Sequence, residues 1–571
     1  MVKYIVIAGG VMSGVGKGVT TASLAKILQE HGFKITVIKI DPYINYDAGT
    51  LRPTEHGEVW VTDDGGEIDQ DLGNYERFLG KEISKKNNIT TGQIYKTLID
   101  KERNGEFLGE TVQFIPHIPD EIKRRIKLSS NGYDFALVEI GGTIGDFENI
   151  PFLFAMKSLE RELGKNSVTY ILITYLPTPS HIEEMKTKPT QQAIRLLSEH
   201  GIFPDFIICR AKNPLDEIRK RKIETYVNIP IGNIISEPDI ETIYQIPLDL
   251  EKEMLGKKIL EHFNIPPKKK TDWKKWESMV NTIKNPNRIV NIAIVGKYVM
   301  TGDYQLADSY TSINQALIHA GCRLKVGVKI DWIDASILEK KPSNIEILKK
   351  YKGILIPGGF GIAGVEGKIK AINYARDNNL PFLGLCFGLQ LAVVEFARNV
   401  CKLKNANTTE VDKKTPYNVI DILPSQKSAM ENGNYGATMR LGAYSAILKE
   451  NSKILELYKK TGRLKQDAKR LFHLKNESSE KFRLGTIGKE KNIILERHRH
   501  RYEVNPNYVR TLEDNGLFFS GYHITTDKTI LIEFLELKNH PYFIATQSHP
   551  EFKSRPDDPA PLFYGFIASM L

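Results

Sequence analysis

The sequence lacks the features that define secreted, fibrous and membrane proteins. Its 571 residues include only four cysteines, none in a CxxC spacing, which argues against a disulfide framework and against a zinc site. Gly and Pro occur 44 and 27 times, close to average usage, which excludes collagen-like and low-complexity designs. The most apolar long segment, 380–397, contains Pro381, Gln390 and Glu395, so it reads as a buried strand and helix, not as a membrane span. With no basic leader before the first apolar run, we expect a cytoplasmic protein that does not bind a membrane.

Excess charge of one sign is also scarce outside two short stretches. The formal net charge is +10, and residues 264–290 and 451–491 together carry more than this surplus. Basic residues in connecting segments are typical of solvated surface, whereas a nucleic-acid groove would run along a domain. We therefore expect no nucleic-acid partner.

The chain is long enough for several folding units, and its strands and helices alternate. The run Tyr4–Ala8, a helical pattern over 17–31 and the run Phe33–Asp41 form one strand–helix–strand unit. A fresh strand at Ile289–Val295 begins a second alternating series. The pattern predicts an α/β fold class, a P-loop-type doubly wound parallel sheet domain followed by a second α/β domain. The predicted boundaries are 1–265, a basic linker with a short amphipathic helix at 266–289, and 290–571, with a basic insertion at about 451–491 that holds one partly packed helix.

A glycine-rich turn between the first strand and the first helix predicts a phosphate cradle. In GGVMSGVGKG the glycines permit a tight turn, the helix N-terminus directs N–H groups and its dipole at an anion, and Lys17 adds a positive charge. The pattern departs from GxxxxGK[ST], because Val11 stands at the first glycine position and Gly18 replaces the magnesium-binding hydroxyl. A tight turn that binds nothing is the alternative. Magnesium would then need other oxygen ligands, for which Asp71 and Glu139 are candidates, although each alone could be a capping or surface carboxylate.

A second motif predicts a nucleophilic cysteine. Cys386 follows the apolar strand 380–385 within GLCFG and precedes a helix, the cysteine counterpart of a nucleophile elbow. In His549-Pro550-Glu551, the proline keeps the chain extended, so that Glu551 can orient the His549 imidazole as a base. The glycines of Gly358–Gly361 would supply backbone donors for an oxyanion. A buried core thiol is the alternative for Cys386 alone, and we take Cys209, Cys322 and Cys401 as structural.

These motifs carry a resemblance to known families. LGLCFGLQ and QSHPEF resemble class I glutamine amidotransferases, and GGVMSGVGKG, KIDPYIN, HGEV, DLGNYERF, EIGGTIGD and KTKPTQ resemble the amidoligase domain of the CTP synthase family. The resemblance spans nearly the whole chain, except mainly 451–491, which has no family role that we can assign. It implies that ATP phosphorylates oxygen 4 of UTP in the first domain. Ammonia released from glutamine at Cys386 in the second domain, or free ammonia, then displaces phosphate to give CTP.

The resemblance also implies roles for individual residues. Cys386, His549 and Glu551 would be catalytic, Lys17 and Lys39 would balance charge in phosphoryl transfer, and Asp71 and Glu139 would bind Mg²⁺. The implied ATP contacts are Ser13, Gly14, Val15, Gly16, Lys17, Gly18, Val19, Asp71, Pro238, Asp239 and Ile240. The implied UTP or CTP contacts are Ser13, Asp146, Phe147, Glu148, Lys186, Thr187, Lys188, Pro189, Thr190, Gln191 and Lys222. The implied glutamine contacts are Gly359, Phe387, Gly388, Leu389, Gln390, Glu410 and Arg501.

The implied partners are ATP, UTP and L-glutamine, with CTP as a feedback inhibitor, GTP as an allosteric activator and assembly as a homotetramer. Ala363 stands where the family usually has Arg, so we expect GTP activation to be weak or to use another residue. Three other readings stay open from the residues alone. One is a deviant P-loop ATPase switch that binds a protein partner, which would have no use for Cys386, His549 and Glu551. A second is a different glutamine-dependent amidoligase, which would share the loop but not KTKPTQ, and a third is a structural filament protein.

Overall fold

Two separate β-sheets organise the chain into two units. The computed structural model describes residues 2–52, 56–181, 183–297, 300–301, 304–305, 310–423, 426, 439–475, 482–488 and 491–571. The first unit comprises Met1–Ala48 and Ile68–Lys284, and the second comprises Gly49–Glu67 and Asn285–Leu571. A short segment from the N-terminal part of the sequence therefore belongs to the second unit, which no local sequence pattern indicated.

The first unit is built on a seven-stranded parallel sheet. Its strands lie in the order Asn88–Thr90, Ile35–Asp41, Phe135–Ile140, Lys3–Gly9, Val168–Tyr175, Phe206–Ala211 and Ile234–Pro238. The helices of this unit are Lys17–Glu30, Asp71–Leu79, Thr91–Arg103, Phe114–Ser130, Ile150–Leu163, Lys188–Glu199, Glu217–Val227, Ile246–Lys252, Leu255–His262 and Lys274–Lys284. Every residue of Phe135–Ile140 is buried, as expected for a central parallel strand covered on both faces. This arrangement is the predicted doubly wound sheet.

The second unit contains a nine-stranded mixed sheet. Its strands lie in the order Gly327–Asp334, Ile289–Gly296, Gly353–Ile356, Phe382–Leu385, Phe543–Thr546, Ile530–Glu536, Phe518–Ile524, Arg440–Leu448 and Ile493–His500. The first five are parallel and the last four are antiparallel. Its helices are Thr311–Leu324, Ala335–Lys340, Val365–Asp377, Phe387–Asn399, Lys453–Thr461, Arg463–Leu474, Pro506–Asp514 and Pro561–Ala568. Smaller pairings join Trp60–Val61 with Glu67–Ile68, Met300–Thr301 with Tyr304–Gln305, and Asn407–Thr408, Asn418–Ile422 and Tyr502–Val504 with one another.

The basic insertion is more ordered than its composition predicts. We expected one partly packed helix within 451–491, but the structure has two, Lys453–Thr461 and Arg463–Leu474. Tyr458 is fully buried and donates a hydrogen bond to Glu496 at 2.7 Å, and Asp467 accepts one from the backbone N–H of Leu495 at 3.0 Å. The helices are amphipathic, and their charged faces hid the buried residues in a simple charge count.

The segment 266–289 contains the helix Lys274–Lys284, whose residues belong to the first unit. The Trp276 indole donates to the carbonyl of Tyr244 at 2.6 Å, which fixes this helix against its own unit. None of the helices in the described ranges has the length and apolar character that a bilayer-crossing segment needs.

Candidate functional site

The predicted phosphate cradle lies in the first unit, between the strand Lys3–Gly9 and the helix Lys17–Glu30. Gly14 and Gly16 have φ values of 72° and 88°, the left-handed region that glycine adopts at little cost. A side chain at Gly16 would also collide with Arg210, which donates to the Val15 carbonyl at 3.0 Å. The helix begins without a side-chain cap, so its first N–H groups face the turn, as an anion site requires. The Lys17 ammonium donates to the Gly142 carbonyl at 2.6 Å.

A buried lysine surrounded by carboxylates lies next to this turn. The Lys39 ammonium contacts the Asp71 carboxylate, lies 2.8 Å from Glu139 Oε1 and 4.0 Å from Asp69 Oδ1. Burial alone would lower the pKa of Lys39, but the charges of Asp71 and Glu139 outweigh burial and raise it well above its usual value. The structure thus brings together Lys39, Asp71 and Glu139, which lie far apart in the sequence.

The carboxylates outnumber the ammonium groups in this cluster. Burial, followed by repulsion from Asp41 and Asp71, raises the pKa of Asp69 well above its usual range even though Lys39 opposes the shift. Such an excess of carboxylate fits a divalent cation, and Mg²⁺ is often held by one or two carboxylates together with phosphate oxygens and water. Across the described residues, no group of three or more His, Cys, Asp or Glu side chains forms a ready-made metal site. A cation here would rely on ligands that come with the nucleotide.

Gly18 explains the departure from the usual phosphate-binding motif. A Cβ atom at Gly18 would lie 1.9 Å from Asp71 Oδ1, so the carboxylate occupies the space of the missing side chain. The Asp71 carboxylate therefore lies near the position where other phosphate loops have a hydroxyl. The closeness of Gly18 and Asp71 could not be predicted from either residue in the sequence.

The residues expected around adenine adjoin the helix that follows the cradle. Pro238 ends the strand Ile234–Pro238. The preceding Glu237 accepts a hydrogen bond from Thr20 at 3.0 Å and pairs with Arg210 at 3.1 Å. Burial raises the pKa of Glu237 to about 7. The backbone N–H of Asp239 donates to Ala211 at 2.8 Å. Sequence reasoning missed Arg210 and Glu237, although both stand at the carboxyl ends of strands, where open α/β sheets bind ligands.

The residues expected to contact UTP or CTP fall into two groups. Asp146 accepts a hydrogen bond from the backbone N–H of Thr143 at 2.6 Å, in the same turn whose Gly142 carbonyl receives Lys17. Phe147, at 80% exposure, and Glu148 face solvent beside it. A Cβ atom at Gly10 would lie 2.4 Å from Ala193, so the helix Lys188–Glu199 packs directly against the cradle.

The second group lies on and beside that helix. Thr190 is buried and shares a hydrogen bond with Thr174 at 2.9 Å, and Lys186 pairs with Glu184 at 2.6 Å. Gln191 and Lys222 line one pocket of about 550 Å³. The remaining residues expected in this set, Ser13, Thr187, Lys188 and Pro189, lie in the cradle turn and at the beginning of the helix.

Cys386 occupies a strained turn in the second unit. It has a φ of 51° between the strand Phe382–Leu385 and the helix Phe387–Asn399. A Cβ atom at Gly388 would lie 2.3 Å from the Ile356 carbonyl oxygen. The glycine therefore permits the close backbone approach that a nucleophile elbow needs. Cys386 stands at the N-terminus of the helix Phe387–Asn399, and its Sγ lies 3.6 Å from the side-chain Nε2 of Gln547.

His549 lies beside Cys386 and is oriented by Glu551. The His549 Nδ1 is 2.7 Å from Glu551 Oε1, and its ring stacks on Phe552 with centroids 5.3 Å apart. Burial disfavours the imidazolium, but the charges of Glu551 and Cys386 outweigh burial and raise the pKa of His549 to about 10. A Cβ atom at Gly358 would lie 2.9 Å from His549 Cε1 and 3.6 Å from Cys386 Cβ, so this glycine borders both side chains. The arrangement holds a thiol, an imidazole and a carboxylate in the order that nucleophilic catalysis requires.

A pocket of about 330 Å³ opens onto these groups. It is lined by Gly49, Leu51, Arg52, Glu58, Val59, Tyr310, Ile313, Gly358, Gly359, Phe360, Cys386, Met439, Arg499, His549, Glu551 and Phe552. Five of these belong to the segment Gly49–Glu67, which contributes to the second unit. Sequence reasoning missed that wall, because nothing in a local pattern pairs residues more than three hundred positions apart.

Of the residues expected to hold glutamine, only Gly359 is among those that line this pocket. The Glu410 carboxylate accepts a hydrogen bond from the Gly361 N–H at 2.9 Å, so Glu410 adjoins the same glycine loop. Arg501 donates to Gln426 at 2.8 Å. Phe387 and Leu389 pack in the apolar core, and the Gln390 amide donates to the Tyr502 carbonyl at 3.0 Å. Phe387, Leu389 and Gln390 therefore stabilise the elbow through these contacts.

Two family models match this chain, one over each half. The family model described as "CTP synthase N-terminus" matches residues 3–265, and that described as "Glutamine amidotransferase class-I" matches residues 305–569. The chain is 49% identical to CTP synthase of Thermococcus gammatolerans over 99% of this chain and 98% of that protein. It is 48% identical to CTP synthase of Pyrococcus furiosus over 99% of this chain and 97% of that protein. It is 47% identical to CTP synthase of Methanocaldococcus jannaschii over 100% of this chain and 99% of that protein.

A phosphate-binding α/β unit joined to a class I amidotransferase unit defines a glutamine-dependent amidoligase. The chain belongs to the CTP synthase family. Its function is that of a glutamine-dependent CTP synthase in pyrimidine biosynthesis. The switch ATPase and the other amidoligases considered from the sequence are not favoured.

Proposed function

We propose that Cys386, His549 and Glu551 release ammonia from glutamine, and that the residues around Lys17, Lys39 and Asp71 carry out the ATP-dependent step. The proposed division is 1–265 for the amidoligase part, 266–289 for the linker and 290–571 for the amidotransferase part. The observation that carries the proposal is the contact between His549 and Glu551 at 2.7 Å, beside Cys386 at a positive φ. A structural cysteine has no need of an oriented imidazole at its side.

In the glutaminase step, Cys386 Sγ attacks the carboxamide carbon while His549 holds the thiol proton. Backbone N–H groups of the glycine loop, including that of Gly359, stabilise the negative oxygen of the tetrahedral intermediate. The intermediate collapses when its C–N bond breaks and His549 delivers a proton to the departing nitrogen, which leaves as ammonia. Water then adds to the thioester with His549 as base, giving glutamate and the free thiol. Glu551 keeps the imidazole oriented throughout.

In the synthetic step, Lys17 and Lys39 neutralise charge on the phosphoryl group that moves from ATP to oxygen 4 of UTP. Mg²⁺, held by Asp71 and Glu139 together with nucleotide oxygens, would supply charge neutralisation on the phosphates when bound. The carboxylate excess around Lys39 supports a cation here. The glycine turn Ser13–Val19 and the segment Pro238–Ile240 bind ATP, and the pyrimidine nucleotide takes Asp146–Glu148, Lys186–Gln191 and Lys222.

Regulation and assembly follow the family in this proposal. CTP inhibits by occupying the pyrimidine site, the active form is a homotetramer in the cytoplasm, and neither nucleic acid nor a membrane is a partner. GTP activation is weak or uses another residue, because Ala363 in the exposed turn before the helix Val365–Asp377 offers no guanidinium to a phosphate or a base.

Reciprocal variants test the division of labour. Cys386→Ala is expected to form CTP from ATP, UTP and ammonium at the parent rate but to form none from glutamine. Lys39→Met is expected to lose CTP formation from both nitrogen sources by on the order of 10²-fold while still releasing glutamate. The assays follow CTP by the change of the uracil chromophore and glutamate by a coupled dehydrogenase. Loss of ammonium-dependent synthesis in Cys386→Ala would contradict the proposal.

A further inference from the structure

Two arginines of the basic insertion contact a hairpin that directly follows Glu58 and Val59, two residues that line the pocket around Cys386. This hairpin, Trp60–Ile68, pairs the strands Trp60–Val61 and Glu67–Ile68 around a turn at residues 62–66. Arg470, from the insertion helix Arg463–Leu474, forms an ion pair with the Asp63 carboxylate in that turn. Arg483, also from the insertion, donates to the Asp63 carbonyl at 3.1 Å and to the Asp64 carbonyl at 2.9 Å.

Residues outside the insertion also contact the hairpin turn. Arg497 lies 2.5 Å from the second oxygen of Asp63 and donates to the Val61 carbonyl at 2.9 Å. A Cβ atom at Gly442 would lie 2.6 Å from the Asp63 carbonyl oxygen, so the hairpin backbone lies directly against the strand Arg440–Leu448. Asp63 is thus held by guanidinium groups on both carboxylate oxygens, a geometry that fixes its position.

The insertion helix Arg463–Leu474 is fixed by its own contacts with the second unit, so Arg470 is held in place. Arg463, near the start of the helix that carries Arg470, donates to the Lys553 carbonyl at 3.1 Å and pairs with Asp558 at 3.1 Å. Leu471 packs in a small apolar cluster with Leu484 and Leu495. The helix is therefore a fixed platform for Arg470, not a solvated tail.

The hairpin reaches the catalytic imidazole through two aromatic rings. Trp60 is fully buried and its ring meets Phe552 edge-on with centroids 5.0 Å apart. Phe552 in turn stacks on His549 at 5.3 Å. Glu58 and Val59, immediately before Trp60, line the pocket that contains Cys386. A shift of the hairpin would therefore move a wall of the pocket and loosen the packing behind His549.

We propose that Arg470 and Arg483, contributed by the insertion, are positioning residues for glutamine hydrolysis, because they hold the hairpin Trp60–Ile68, whose preceding residues Glu58 and Val59 line the glutaminase pocket. This inference rests on the proposed glutaminase role of Cys386 and His549. Neither arginine touches substrate, and both act through Asp63 and its hairpin. The insertion thereby gains a role in the nitrogen-donating half-reaction, with no part in the ATP-dependent step.

The test compares Arg470→Ala with Lys469→Ala in the full-length enzyme. Lys469 is the preceding basic residue on the same helix and is exposed, so it matches the charge loss without touching the hairpin. Displacing a positioned group by about 1 Å costs on the order of 10²-fold. Because Arg497 still holds Asp63 in the variant, we expect a smaller loss, about ten-fold in kcat/KM for glutamine hydrolysis. CTP formation from ammonium is expected to stay within two-fold of the parent, and Lys469→Ala to leave both activities unchanged.

Further variants separate positioning from general damage. Arg470→Ala combined with Arg483→Ala is expected to lower glutamine hydrolysis further, and Arg470→Lys to recover part of it. If Arg470→Ala lowers both activities by the same factor, the role is only structural, and if it changes neither, the inference is wrong. Should Arg470→Ala fail to fold, the isosteric Asp63→Asn takes its place. Because this change weakens the ion pairs with both Arg470 and Arg497, the loss of glutamine hydrolysis is expected to exceed that of Arg470→Ala, again with ammonium-dependent synthesis within two-fold of the parent. A parent enzyme that makes no CTP from glutamine would instead refute the proposed function.

Discussion

Gly18 is the position where the structure makes the sharpest statement about the ATP site. Gly18→Ala adds one methyl group, which on the present backbone would lie 1.9 Å from Asp71 Oδ1 and 2.3 Å from its Cγ. Real Cβ atoms do not approach other heavy atoms closer than about 3 Å, so the Asp71 carboxylate must move by about 1 Å or more. That carboxylate pairs with Lys39 and is the proposed magnesium ligand.

The magnitude follows from this displacement. A shift of about 1 Å in a positioned group costs on the order of 10²-fold in rate. The same shift weakens the ion pair between Asp71 and Lys39, whose side chains are 24% and 6% exposed. Because breaking a fully buried pair costs about 3–5 kcal/mol, the cost for this partly buried pair lies below that range. We therefore expect CTP formation to fall on the order of 10²-fold, with ammonium and with glutamine alike. Glutamate release should change little, because Cys386 and His549 belong to the other unit.

The assay measures CTP formation from ammonium at saturating ATP, UTP and Mg²⁺, with glutamate release measured in parallel. Gly232→Ala is the matched control, because Gly232 is exposed, its φ is not in the left-handed region and a Cβ atom there would meet nothing within 4 Å. Parent-like synthesis by Gly18→Ala would refute the placement of Asp71 against the cradle and, with it, the explanation for the missing hydroxyl.

Two further substitutions probe the second unit. In Glu551→Gln, burial of His549 is no longer opposed by the carboxylate, so its pKa falls from about 10 and the alkaline limb of the glutaminase profile moves to lower pH. The kcat/KM for glutamine should fall on the order of 10²-fold, with ammonium-dependent synthesis unchanged; an unmoved alkaline limb would contradict the role of Glu551. Ala363→Arg should increase the stimulation of glutamine hydrolysis by GTP, measured as the ratio of rates with and without GTP. An unchanged ratio would show that another residue governs the response.

Local patterns in the sequence predicted most of the sheet framework. The strands Phe135–Ile140, Val168–Tyr175 and Gly353–Ile356 begin and end where the apolar runs do, because both faces of a central parallel strand are buried. The apolar residues between Leu324 and Ile330 also predict a strand there, but the strand in the structure is Gly327–Asp334, because the preceding helix continues through Leu324. Helix ends depend on caps and packing as well as on periodicity, so this boundary was the weaker prediction.

The candidate sites could be predicted where the residues of a motif are neighbours in the sequence. Cys386 with its flanking glycines, and His549 with Glu551, are adjacent in sequence, and the structure brings the two motifs together. Asp71 beside Gly18 and Asp63 beneath Arg470 could not be predicted, since each depends on tertiary packing between distant segments. The positive charge of the insertion suggested solvated surface, whereas Arg470 is ion-paired with Asp63.

The central claim is that nitrogen freed at Cys386 becomes the 4-amino group of CTP. Glutamine labelled with ¹⁵N in its amide is supplied together with unlabelled ammonium, and the mass of the CTP product is measured. The parent enzyme should incorporate the label, whereas Cys386→Ala should yield only unlabelled CTP at an undiminished ammonium-dependent rate. Labelled CTP from Cys386→Ala, or unlabelled CTP from the parent, would contradict the account.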